Sequence, residues 1–155
     1  MTEKRENKPY LLVGFEKRLH RRDIKLITEI IIHCSDSDKP ENDDISVIRS
    51  WHKVRGFSDV GYHFFLKKDG TIQPGRKINQ IGAHCITQNA ISIGICLSGR
   101  HDFTEIQFST VHSLILKLMA NYSILKDKVL PHNFFNENKS CPNFPLDNIW
   151  KFDTI

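Results

Sequence analysis

The 155-residue chain has no apolar run approaching the roughly 20 residues that a membrane-spanning helix needs, so stable membrane insertion is not expected. Its one apolar stretch near the start, Tyr10-Leu11-Leu12-Val13-Gly14-Phe15, is too short for a signal-peptide core, and no small-residue cleavage site follows it. The expectation is a protein cytoplasmic as synthesised. Internal repeats and low-complexity linkers are also missing, which excludes an array and favours one domain long enough to bury a core unaided. The four cysteines, Cys34, Cys85, Cys96 and Cys141, show no CxxC pair and no framework spacing. In an unexported chain they read as thiols, each free to serve as a ligand.

Basic charge is missing from most of the chain. Residues 1–25 carry eight Lys/Arg against four Asp/Glu, which is the whole net charge of +4, while residues 26–155 carry fourteen of each. A nucleic-acid-binding domain would show a basic face on its body, so nucleic acid is not an expected partner. The division is therefore a basic N-terminal arm, 1–25, and a neutral domain, 26–155. The arm, with Lys17-Arg18 and Arg21-Arg22, reads as a solvated, partly ordered tail able to touch an anionic surface or a partner protein. The alternative is that Tyr10 to Phe15 packs on the body as an added strand or staple. The chain is expected to act as a monomer.

What is present is the pattern of an α/β domain, a mixed central β-sheet flanked by helices. Leu26 to Ile32 reads as a central strand. Ile45, Ile48, Trp51 and Val54 recur every three residues and stop at Gly56, the mark of an amphipathic helix with a glycine end. Tyr62 to Leu66 and Thr71 to Gln73 flank Lys68-Asp69-Gly70, a hairpin signal. Ile91, Ile93, Ile95 and Leu97 alternate with small residues as a strand does. Thr104 and Gln107 form a capping box for a helix whose stripe is Phe108, Val111, Leu114, Ile115, Leu118, Met119 and Tyr122. Val129 to His132 reads as a short strand end, and Pro145 begins a last helical turn around Ile149 and Trp150.

The run Ile30-Ile31-Ile32-His33-Cys34-Ser35 places an imidazole at the end of a buried strand. By itself that is equally the pattern of a core histidine hydrogen-bonded to a neighbour. His132 ends a second strand, and Cys141 follows it by nine residues in Asn138-Lys139-Ser140-Cys141-Pro142. Were the two strands neighbours, Cys141 could fold back beside both imidazoles. Three protein ligands with one open position is the arrangement of catalytic zinc, although no short motif such as HExxH is present.

The run from Trp51 to Phe64, WHKVRGFSDVGYHF, resembles a signature of the zinc-dependent N-acetylmuramoyl-L-alanine amidases, which include small bacteriophage amidase-lysozymes and peptidoglycan recognition proteins. The resemblance continues through DGTIQPGR (69–76), Gly82-Ala83-His84, NAISIGI (89–95), His132 and Lys139-Ser140-Cys141-Pro142, covering about residues 27–150 in order. It implies a zinc amidase fold, with one Zn2+ per chain held by His33, His132 and Cys141. It also implies Tyr62 and Lys139 as catalytic residues and His84 as a histidine of the substrate cleft. The implied reaction is hydrolysis of the amide between N-acetylmuramic acid and L-alanine, with peptidoglycan or muropeptides as substrate and bacteriolytic, endolysin-like use. The alternative is a non-catalytic or regulatory peptidoglycan-binding module. Loss of the cysteine ligand usually separates that class, and Cys141 is present. Two departures bear on the ligand loop: Asn133-Phe134-Phe135-Asn136 replaces a segment usually holding a charged residue and a proline turn, and Asn143 stands where a glycine commonly follows Cys-Pro.

The chemistry suits these residue types. A dication on two imidazoles and a thiolate keeps net charge near +1, polarising a water and lowering its pKa from 15.7 toward about 7. Lys139 supplies a cation for a developing oxyanion, and Tyr62 can orient water or pass a proton. His84 divides between substrate contact and support of a ligand. His63, alternating with Tyr62, reads as structural, as does Cys34 beside His33. Trp51 reads as core and His52 as surface; His20, His101 and His112 read as solvent-facing; Cys85 and Cys96 signal packing only. Because the body holds every candidate residue, the arm is expected to be dispensable for chemistry on a small soluble muropeptide.

Overall fold

The computed structural model describes residues 19–154. Five strands form one mixed sheet: β1 (Glu29–Cys34), β2 (Phe64–Leu66), β3 (Ile72–Pro74), β4 (Ser92–Leu97) and β5 (Val129–Pro131). Their order is β3-β2-β4-β1-β5. All neighbours run parallel except the β2–β3 hairpin. Three helices pack on it: α1 (Ile45–Val54), α2 (Glu105–Tyr122) and the short α3 (Asp147–Trp150). This is the mixed sheet flanked by helices that the pattern implied.

β1 is buried along its whole length because both of its faces are covered. On one face Ile30 and Ile32 join Ile93, Ile95, Leu97 and Leu66 against Phe108, Val111, Ile115 and Leu118 of α2. On the other, Phe65 and Cys96 pack with Val60 and with Ile45 and Ile48 of α1. Each fully buried isoleucine contributes roughly 1.5–3 kcal/mol of hydrophobic stabilisation. The α2 capping box is complete: the Gln107 backbone N–H donates to Thr104 Oγ1 at 3.2 Å, and the Thr104 N–H to Gln107 Oε1 at 2.9 Å.

Three expectations change. The first strand starts later, at Glu29, because Ile24–Leu26 is a 3-10 turn capped by the Asp23 side chain. His112 is buried, not solvent-facing, and its Nε2 lies 2.6 Å from Asp153 Oδ1, tying α2 to the C-terminal turn. Part of the basic arm is joined to the body: Ile81 N–H donates to His20 O at 2.7 Å, and Arg22 N–H to Asn79 O at 2.9 Å. The Arg22 guanidinium donates to the carbonyls of Ile78 (2.9 Å), Asn89 (3.1 Å) and Ser92 (2.7 Å). A guanidinium that feeds backbone carbonyls leaves no trace in charge counting. Tyr10 to Phe15 and Lys17-Arg18 lie outside the described residues.

Candidate metal centre and its cleft

Parallel pairing decides the site. β1 and β5 lie side by side, with Ile32 opposite Pro131, so His33 and His132 emerge together at the carboxyl ends of their strands. Such strand ends border the clefts of α/β sheets. Their rings sit 4.4 Å apart, centroid to centroid. The chain then makes a 3-10 turn at His132–Phe134 and returns, with the Asn133 N–H bonded to Cys141 O at 3.0 Å. One ligand atom each from His33, His132 and Cys141 falls within 4.8 Å of the others.

One of the two departures in the ligand loop, Asn143, has a local explanation. It adopts φ 69°, the left-handed region that glycine favours and asparagine tolerates better than most residues. Its side-chain amide donates to Arg100 O at 3.0 Å, fastening the segment after Cys141 to the loop after β4.

The donors fit zinc. Zn2+ is bound by imidazole nitrogen and thiolate sulfur, the donor types that His33, His132 and Cys141 bring together here. Burial, then the neighbouring His132 and His52, keeps His33 well below the usual histidine pKa, so its lone pair is available. Burial and then Lys139 lower His132. The Cys141 thiol is pushed up by its hydrogen bond with Cys34 and by burial, a cost that a bound dication reverses. The Cys34 backbone N–H, 3.2 Å from Cys141 Sγ, already points at the sulfur as a donor to a thiolate.

These residues floor a cleft of about 540 Å³ whose walls include Trp51, His52, Arg55, Phe57, Tyr62, His84, Ile86, Phe135, Lys139 and Asn143. Tyr62 precedes β2 instead of opening it, and its ring lies 5.0 Å from that of His33. Burial, followed by Cys96 and the other thiols, holds its phenol well above pKa 10, so it is an O–H donor at neutral pH. Lys139 is exposed on the cleft wall. His84 Nδ1 lies 2.8 Å from His33 Nε2, and its Nε2 lies 3.2 Å from Ser92 Oγ. Both His84 nitrogens are thus engaged inside the protein, leaving only ring carbon to face the cleft.

His63 is structural, as its alternation implied: its Nδ1 accepts from Gly94 N–H at 3.0 Å and its Nε2 donates to Gln80 O at 2.9 Å. Cys34, Cys85 and Cys96 are buried, although Cys34 also touches Cys141 and borders the cleft. His101 is exposed.

Trp51 and His52 exchange the roles expected of them. Trp51 is 38% exposed on the cleft rim, whereas His52 is 6% exposed. Helical geometry gives the reason: at about 100° per residue, steps of three drift backward, leaving Val54 about 180° from Ile45 but His52 within about 20° of it. Val54 is accordingly 85% exposed. The His52 ring packs 5.4 Å from Tyr62, and its Nδ1 accepts the Gly61 N–H at 2.8 Å. A side chain on Gly61 would collide with Ala83 O, so this residue just before Tyr62 is held from two sides. A strict 3.6-residue wheel would have flagged His52. No sequence signal would have flagged Arg22, and Asn89 stood in the NAISIGI run without a role of its own.

Two imidazoles and a thiol converging at the carboxyl edge of a sheet give a donor set that could hold a metal ion at the floor of a cleft. The family model of N-acetylmuramoyl-L-alanine amidase matches residues 22–144, and the chain belongs to that family. Among named relatives, the endolysin of Escherichia phage T7 is 38% identical over 130 residues, spanning 79% of this chain and 84% of that protein. The endolysin of Klebsiella phage KP32 is 34% identical over 132 residues, covering 80% and 85%. In solved structures, the N-acetylmuramoyl-L-alanine amidase LysC from Clostridium intestinale superposes with TM-score 0.74 at 29% identity, covering 89% of this chain and 91% of that one. Drosophila PGRP-LB shares the fold, with TM-score 0.70 at 24% identity over 89% and 85%.

Proposed function

We propose that this amidase is zinc-dependent and lytic, cutting the lactyl amide between N-acetylmuramic acid and L-alanine in peptidoglycan, with His33, His132 and Cys141 as the metal ligands. The observation that carries the reading is the convergence of these three ligand atoms within 4.8 Å at the floor of the cleft. The amidase family and the phage endolysin relatives support the substrate class.

Zinc, when bound, supplies a Lewis acid and a water of lowered pKa. The chain supplies the rest. His33 and His132, held neutral by burial, offer lone pairs, while the Cys34 N–H stabilises sulfur as thiolate. Tyr62 stays protonated beside His33 and donates to an oxygen on the scissile carbonyl or to the attacking water. Lys139 places a cation on the wall where negative charge develops on that carbonyl. His84 borders the substrate through its ring edge. The basic N-terminal arm adds attraction to an anionic surface, which salt weakens as the screening length falls from about 10 Å at 0.1 M to about 3 Å at 1 M.

The test is digestion of purified peptidoglycan alongside metal analysis. Stoichiometric zinc is expected, with new L-alanine amino termini and no new reducing ends, and activity lost to chelation and restored by Zn2+. New reducing ends, or full activity after complete metal removal, would refute the reading.

A further inference from the structure

We propose that Arg22, Asn89 and Ser92 form a brace outside the cleft that acts through His84 to set the tautomer of His33, and so controls metal affinity. The proposal rests on the zinc reading above and adds positioning residues to it.

The hydrogen bonds have a direction. His33 Nδ1 faces Cys141 Sγ at 4.0 Å, so it is the nitrogen turned toward the metal position, and Nε2 faces His84 Nδ1 at 2.8 Å. A metal takes the Nδ1 lone pair only if the proton resides on Nε2. That proton is donated to His84 Nδ1, which places the His84 proton on Nε2, 3.2 Å from Ser92 Oγ. Ser92 accepts it and donates its own proton to Gln88 O at 2.7 Å. The reverse polarity needs the Ser92 hydroxyl to donate to His84 instead. That leaves the Gln88 carbonyl without this donor and ends with a proton on His33 Nδ1, where it obstructs the metal. A carbonyl can only accept. Gln88 O, which also accepts the Ile91 N–H at 3.2 Å, gains its second and shorter hydrogen bond only in the metal-competent polarity and so favours that tautomer.

The brace holds the relay in place. Arg22 Nη1 donates to Ser92 O at 2.7 Å and to Asn89 O at 3.1 Å. Asn89 Oδ1 in turn accepts the backbone N–H groups of His84 (2.8 Å) and Cys85 (2.9 Å). One guanidinium thus grips both residues that fix His84. The imidazole lies flat on Gly94, where a Cβ would stand 2.6 Å from its Cδ2, so only glycine leaves room for it. Partners of this kind orient metal-binding histidines, and their loss typically weakens metal binding 10- to 100-fold. The basic arm, on this account, contributes to the site through its last residues.

The experiment uses the full chain. Zn2+ affinity is measured by chelator competition for wild type, Ser92→Ala, Arg22→Ala and Arg22→Lys, with Co2+ absorption as the signature of coordination. The His33 tautomer in metal-free wild type is read by long-range 1H–15N NMR. Expected are an Nε2–H tautomer of His33 in wild type and zinc binding weakened 10- to 100-fold in Ser92→Ala and Arg22→Ala. Arg22→Lys fails to restore it, because an ammonium cannot span the same carbonyls. A His33 proton on Nδ1 in metal-free wild type overturns the proposal even if every variant misfolds. Wild-type zinc affinity in a folded Ser92→Ala also overturns it. If wild type itself binds no zinc, the metal reading fails instead, and the tautomer measurement still judges the relay.

Discussion

Replacement of His52 separates its two ring nitrogens, because asparagine places an amide oxygen where Nδ1 stands and glutamine where Nε2 stands. In wild type Nδ1 accepts the buried Gly61 N–H at 2.8 Å, and the ring fills the space between Phe57 and Tyr62. Leaving a buried N–H without a partner costs about 1–3 kcal/mol. At this chain length each kcal/mol corresponds to about 2–4 °C of melting temperature, so His52→Ala should melt about 4–8 °C lower for a loss near 2 kcal/mol. The residue directly after Gly61 is Tyr62, so freeing that N–H also frees the phenol. Roughly 10- to 100-fold should be lost from kcat on a soluble muropeptide, since small misplacements of a catalytic group cost that much. His52→Asn should recover most of both losses; His52→Gln should not. The assay is kcat and KM on a soluble muropeptide beside thermal melts of the same samples. Glutamine rescuing better than asparagine would show that Nε2 matters and refute the reasoning.

The remaining expectations are as follows. Cys141→Ser should lose stoichiometric zinc by metal analysis, because a serine hydroxyl stays protonated near neutral pH; retained zinc would remove Cys141 from the ligand set. Tyr62→Phe and Lys139→Ala should keep metal and fold while turnover falls by roughly 10²–10³, the scale for a lost donor or oxyanion cation, and unchanged turnover would make both residues structural. Glu29 is buried, its Oε1 has no partner among the described residues, and burial raises its pKa against the opposing pull of Lys128. A raised carboxyl pKa gives stability that is full below the unfolded value and lost as pH rises through the folded value. Glu29→Gln should therefore melt higher than wild type at pH 7, with the difference shrinking toward pH 4; an equal difference at both pH values would exclude titration as the cause.

Much of the molecule was legible in sequence because local chemistry wrote it there. The α2 cap followed from Thr104 and Gln107, the β2–β3 hairpin from Lys68-Asp69-Gly70, and the buried strands from runs of isoleucine. The motif order marks His33, His132 and Cys141 as candidate ligands. These features are encoded by nearest neighbours along the chain or by residue type at fixed spacing, so no partner distant in sequence is needed to read them.

Tertiary structure decided the rest. That β1 and β5 are parallel neighbours, and so bring His33 and His132 within 4.4 Å, depends on strand pairing across about a hundred residues. The rotation that buries His52 and exposes Trp51 depends on which arc of α1 meets the sheet. Arg22 looked like one more charge on a basic tail. Its guanidinium donates to the carbonyls of Ile78, Asn89 and Ser92, acceptors that every residue possesses and no sequence distinguishes. Side-chain type can be read in one dimension; the direction in which a backbone carbonyl points exists only once the chain has folded.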